Sequence, residues 1–178
     1  SCNNWALFPL REDRANGRYF IFQEEGFACQ VVLSGEKIMS LQERNKVIAQ
    51  QYIDAINVDD FEKLRELLTP DFVDHASVGD LPPGMEGVEQ AHRMLRDGFP
   101  DVRFTVDQLI AEGDQVAMIA TGQGTHSGNF IGLAPTGNRV SWIGLRCFRM
   151  ADGKIAEGWS QFDQLGILQQ IGAIPPMG

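Results

Sequence analysis

The residues best suited to chemistry gather toward the C-terminal end: Trp142 and Arg146 on one alternating run, Trp159, Gln161 and Asp163 on the next, with His75 and His126 upstream. A carboxylate set between indoles is a candidate general acid/base. Burial beside apolar walls raises a carboxyl pKa toward neutrality, where it can take a proton from the carbon next to a carbonyl. Arg146 and Gln161 could orient a substrate carbonyl or carboxylate. The bland alternative is that each hydrogen-bonds its cross-strand neighbour.

The two runs, RVSWIGLRCFRM (139–150) and KIAEGWSQFDQLGILQQIG (154–172), are joined by Ala151-Asp152-Gly153. Asp-Gly between alternating runs is the strongest short-range hairpin signal. With a two-residue turn, Ala151 faces Lys154, Phe148 faces Glu157, Arg146 faces Trp159, Gly144 faces Gln161 and Trp142 faces Asp163. Side chains two apart share a face. One face therefore carries Trp142, Arg146, Trp159, Gln161 and Asp163, and suits a pocket wall. The other carries Ile143, Leu145, Cys147, Ile155 and Phe162, as a core would. The competing reading of the first face is an Arg146–Asp163 ion pair on a solvated sheet, worth little.

His126 ends a strand whose alternate positions, Gly122 and Gly124, leave room above them, so its imidazole could reach the pocket mouth. Equally, it could bond a loop carbonyl and order residues 127–138, a segment long enough for a lid. His75, beside Asp74, is a hydrogen-bond donor to a substrate carbonyl or a satisfied structural histidine. His92, beside Arg93 on a helix, reads as a solvated surface residue. The three histidines with Asp74 and Asp163 lack the close spacings of a metal site. Gly122-Gln123-Gly124 is not a dinucleotide fingerprint, because no strand-to-helix transition follows. No GxSxG elbow occurs, and no cysteine lies in a nucleophile motif.

Composition narrows the classes further. Fifteen basic against 24 acidic residues give a formal charge of −9, which argues against nucleic acid or a membrane surface as partner, since both need clustered Lys and Arg. Cys2, Cys29 and Cys147 form no CxxC pair, which fits a reduced, cytoplasmic setting. No run of about 18 apolar residues is present to span a bilayer, and the first residues do not resemble a signal peptide.

The elements that would position these groups follow in order. Residues 1–38 read as an N-terminal extension, with a possible hairpin of Tyr19–Phe22 and Cys29–Leu33. Met39 looks like a fresh start, because Ser40 and Glu43 form a capping box. Apolar spacing over Leu41–Asn57 (Val47, Ile48, Tyr52, Ala55, Ile56) predicts one amphipathic helix, and Asp60–Leu68 a second ended by Thr69-Pro70. A short strand at 72–76 enters a Gly/Pro-rich loop at 78–87, and a third helix covers 89–96. Strands are predicted at 102–111, 115–126, 139–150 and 154–163, with a last helix at 165–171. Helices first and an antiparallel meander afterwards make an α+β plan, helices on one face of a curved sheet with a ligand-sized hollow between.

Four stretches, FVDHA (72–76), GTHSGNFIGLAPTG (124–137), DGKIAEGW (152–159) and FDQLGILQQIG (162–172), resemble the SnoaL-like polyketide cyclases, or ester cyclases, of the nuclear-transport-factor-2-like superfamily, over roughly Ser40–Ile174. The resemblance implies a cone-shaped, cystatin-like α+β roll over 39–178, with an antiparallel sheet and N-terminal helices over its concave face. It also implies a homodimer, no cofactor, and closure of a ring by intramolecular aldol chemistry on an apolar, carbonyl-bearing small molecule, with an aspartate moving the proton; no metal is expected, on the spacings above. That aspartate carries over to Asp163, with His126 as second catalytic candidate and His75, Trp142, Arg146, Trp159 and Gln161 as substrate contacts. Two other readings stand beside it: a non-catalytic binder of a hydrophobic small molecule, and an epoxide hydrolase, whose carboxylate–arginine–carboxylate relay would force Asp74 or Glu157 into the third place. The apolar set Ile143, Leu145 and Cys147 is where a second copy would pack.

Overall fold

Ser40 opens the main unit. Its backbone is extended and its hydroxyl accepts the Glu43 amide at 3.2 Å, so α1 (Leu41–Asn57) starts where the capping box predicts. The computed structural model describes residues 10–13 and 18–21 as backbone and residues 39–75 and 81–175 in full. The chain divides into two units, Ser1–Ile38 and Met39–Gly178. In the first, β1 (Leu10–Asp13) pairs antiparallel with β2 (Arg18–Ile21). The expected strand at Cys29–Leu33 lies outside the described residues.

On α1 the buried face is Asn45, Ala49, Tyr52, Ile53, Ala55 and Ile56; Val47, expected inward, is 44% exposed. A turn at Val58 and Asp59, the latter at φ +58°, leads to α2 (Phe61–Leu67), capped by Asp60. The chain then enters β3 (Leu68–Asp74) at once, four residues before the strand the sequence suggested. Pro70 fits there because β3 is an edge strand, where a missing amide donor costs no ladder bond. Next comes α3 (Gly84–Gly98), which starts well before the predicted residue 89. Its glycines had read as loop. Gly87 is instead a close-packing position, since a Cβ there would lie 2.0 Å from the Pro82 carbonyl oxygen.

The remaining strands are β4 (Arg103–Glu112), β5 (Gln115–Thr125), β6 (Arg139–Ala151) and β7 (Lys154–Phe162), followed by α4 (Gln164–Gln170). They assemble in the order β3-β7-β6-β5-β4. Because β3 runs parallel to β7, the sheet is mixed, not purely antiparallel as expected. Helix α1 lies against β4 and β5, α3 against β3, and α4 against β6. Tyr52, Ile56, Leu64, Phe148 and Ile155 share one core beneath α1 and α2, while Phe99, Phe130, Trp142 and Ile167 share another toward α4.

The β6–β7 hairpin turns at Asp152 and Gly153, whose φ angles of +49° and +74° are those of a tight hairpin turn, and Ala151 faces Lys154. Two residues further on the count breaks. Met150 pairs with Ile155 but Arg149 with Glu157, so Ala156 is an extra residue in β7. This bulge slips the register by one, turning Trp159 to the outer face and Ser160 to the inner one. Arg146 consequently faces Ser160, and Trp159 faces Cys147.

Candidate active site

Between α1 and α3 on one side and the sheet on the other lies a cavity of about 280 Å³. Ile53, Ile56, Leu95, Phe104, Met118 and Trp142 give it an apolar lining. Tyr52, Asp74, His92, Arg146, Ser160 and Gln161 supply the polar groups. Asp74 is the one carboxylate in the lining among the described residues.

Arg146 projects inward from β6 because it alternates with buried Trp142 and Phe148. Its Nη2 donates to Asp74 Oδ2 at 2.7 Å. Asp74 shares the inward side of β3 with Phe72. The guanidinium lies 4.9 Å from the Tyr52 ring centroid and 5.2 Å from that of Phe148, within cation–π range. Glycine at 158 makes room for this, since a Cβ there would come within 3.2 Å of Arg146 Nη2 and 3.3 Å of the Phe72 ring. One donor is left over: Arg146 Nε is buried with no hydrogen-bond partner among the described residues. Burial works against the guanidinium's charge, but Tyr52 and Asp74 outweigh it and hold the pKa above its ordinary value. Burial pushes the Tyr52 phenol up, with Asp74 adding to it and Arg146 opposing. Tyr52 is therefore a neutral hydroxyl beside a fixed positive charge.

Of the residues singled out from sequence, Trp142, Arg146 and Gln161 line this cavity. The other four do not. Asp163 is exposed and caps α4, its Oδ1 accepting the Gly166 amide at 2.8 Å, so the apolar enclosure expected around it is missing. Trp159 sits on the outer face, 40% exposed and stacked on His75 at 4.5 Å between ring centroids. The Ala156 bulge placed it there. His75 bonds Glu157 on that same face, Nε2 to Oε2 at 2.7 Å. His126 is fully buried: its Nδ1 lies 3.0 Å from Thr136 Oγ1, its backbone bonds Asn138 and Gly137 at the ends of the 127–138 loop, and its Nε2 has no hydrogen-bond partner among the described residues. The space expected above Gly122 is filled by the Trp142 indole, and that above Gly124 by Phe99. Arg146 does form an ion pair, with Asp74 and not Asp163.

Tyr52, expected only as part of the inward face of the first helix, Asp74, expected only as a forced third member of an epoxide relay, His92, expected on the surface, and Ser160, not singled out, all line the cavity. His92 faces the cavity and is 6% exposed, contrary to a surface position. Only the alternation of Phe72 and Asp74 could have flagged one of the four in advance. At the rim stands Ile131, 53% exposed and held at φ +45°. Among the described residues no group of three or more His, Cys, Asp or Glu is placed to hold a metal ion, and no helix is long and apolar enough to cross a membrane.

The half-open apolar hollow, with a few convergent polar groups, lies under helices and over a curved mixed sheet on a nuclear-transport-factor-2-like fold. The family model for SnoaL-like polyketide cyclases matches residues 46–171. The chain belongs to that family. Among solved structures, it is similar to IdmH, a proposed polyketide cyclase from Streptomyces antibioticus, at 34% identity over 72% of this chain and 98% of that one, with a TM-score of 0.65. It is also similar to AclR, a proposed hydroxylase from Streptomyces galilaeus, at 28% identity over 77% and 86% and a TM-score of 0.68. TsrD from Streptomyces laurentii shares 26% identity over 76% and 100%, with a TM-score of 0.69. No curated protein matches the chain.

Proposed function

We propose that the protein is a cofactor-independent cyclase or isomerase-type enzyme that moves a proton on an apolar, carbonyl-bearing small molecule, with Asp74 as acid/base and Arg146 as the charge that receives the oxyanion. The observation that carries this reading is the Asp74–Arg146 contact inside an otherwise apolar cavity. Asp74 removes a proton from the carbon next to a carbonyl. The resulting enolate oxygen is held by the Arg146 guanidinium and the Tyr52 hydroxyl, in the manner of an oxyanion site. In a ring closure the enolate carbon attacks a second carbonyl of the same molecule, and the alkoxide formed takes a proton back from Asp74, so the proton count balances. The lining suits substrates with a hydrocarbon body and few polar groups.

Family membership supports cyclase or isomerase chemistry. Among the described residues the lining offers no second acid for a carboxylate–arginine–carboxylate epoxide relay, and Glu157 lies on the outer face against His75 and Arg149. Benzoylacetone, an apolar diketone with acidic α-hydrogens, is a suitable first probe. NMR in deuterated water should show α-hydrogen exchange accelerated by the protein, and Asp74→Asn should reduce it by about 10²-fold or more, as for loss of a general base. Binding without exchange would make the protein a carrier, and undiminished exchange in Asp74→Asn would remove Asp74 from the role.

A further inference from the structure

His92 contributes a second polar anchor to the cavity, on the helix wall away from Arg146. Its Nε2 lies 2.5 Å from Asp59 Oδ1. A carboxylate oxygen can only accept, so the proton of that contact resides on Nε2. Arg96 Nε lies 3.2 Å from the same oxygen and 3.4 Å from His92 Nε2. A protonated ring nitrogen has no lone pair to offer, so the Arg96 donor belongs to Asp59. This fixes the tautomer and leaves Nδ1 as a bare lone pair, which has no hydrogen-bond partner among the described residues. Burial also lowers the His92 pKa, against the raising effect of Asp59, which favours the neutral ring. Phe61, edge-on at 5.8 Å between centroids, packs against the imidazole.

Asp59 has its own cost. At φ +58° it occupies the left-handed region, which glycine would accept without strain. An aspartate there makes sense as the carboxylate that orients His92.

We propose that His92 is a ligand-recognition residue whose Nδ1 accepts a hydrogen bond from a hydroxyl of the bound molecule. The ligand class is then an apolar skeleton with a phenol- or enol-type hydroxyl toward α3 and a carbonyl toward Arg146. The inference rests on the cavity being the ligand site, as proposed above.

The test compares 2-naphthol with naphthalene by fluorescence titration of the wild type, His92→Phe and Asp59→Gly, alongside nitrogen-15 NMR of the wild-type imidazole. In the wild type, 2-naphthol should bind about fivefold more tightly than naphthalene, the worth of one good hydrogen bond. His92→Phe should bring the two to parity while naphthalene binds as before. Asp59→Gly, which relieves the backbone as it removes the carboxylate, should shrink the preference. The NMR spectrum should show the proton on Nε2. A proton on Nδ1, or a preference that survives in His92→Phe, overturns the proposal and leaves the cavity reading intact. Should neither compound bind the wild type, both readings fall. If His92→Phe does not fold, the Asp59→Gly titration and the wild-type spectrum decide.

Discussion

Arg146 sets the polarity of the cavity, and the two aspartates that could serve it have opposite surroundings. Asp74 touches the guanidinium, whereas Asp163 spends its carboxylate on the first turn of α4. Asp163→Ala should therefore cost about 1 kcal/mol of stability, as loss of a helix cap does, and leave ligand binding and α-hydrogen exchange unchanged. The exchange assay distinguishes this from Asp74→Asn, which should suppress exchange and also cost stability by leaving the buried Arg146 charge without its counter-charge. At this scale the sequence disclosed the inward residues of β6, since alternation alone aligns Trp142 with Arg146. It misplaced Trp159 and Asp163 because a single inserted residue, Ala156, inverts the count. Nothing in the alternation of β6 or β7 announces such a bulge, for Ile155 and Ala156 are both plausible inward residues. Tyr52 reads only as an inward helix residue and Asp74 only as a forced relay member, because each meets Arg146 through the packing of elements far apart in the chain.

Strand and helix positions were more legible than the site, as hydrophobic periodicity and turn residues act locally. The start of α3 was not, because Gly87 serves close packing and gives the same signal as a loop glycine. A similar contact fixes Trp142: a Cβ on Gly122 would lie 2.4 Å from its Cε2. Gly122→Ala should destabilise the fold by about 1–3 kcal/mol through overpacking. It should also displace the indole into the cavity, seen as a lowered thermal midpoint together with a changed tryptophan emission. Helix α3 is further tied to the turn after α1 by His92 and Asp59. Since the folded state holds the His92 pKa below 6.5, chiefly by burial, the unfolded chain takes up the proton first as pH falls. The stabilisation is complete above the unfolded pKa and is lost as pH drops through the lowered folded value. Denaturation midpoints taken between about pH 8 and about pH 5 should fall for the wild type, and His92→Phe should flatten that slope.

Across the whole molecule, the sheet has two unlike faces. The outer one leaves Ile143 59% and Leu145 54% exposed beside Trp159 at 40%. We propose that a second copy covers this face, so sedimentation at micromolar concentration should give a dimer, and Leu145→Lys should give a monomer. A wild-type monomer would reject it. The family match begins at residue 46, inside the second unit, and we propose that removing residues 1–38 leaves a folded product with an unchanged melting transition. A β-branched residue in the left-handed region, as Ile131 is, costs of order 1–3 kcal/mol. Laboratory selection for heat tolerance would accordingly favour glycine or asparagine at this position, and each such gain in durability would shave an oily flank from the doorway through which a guest is retained.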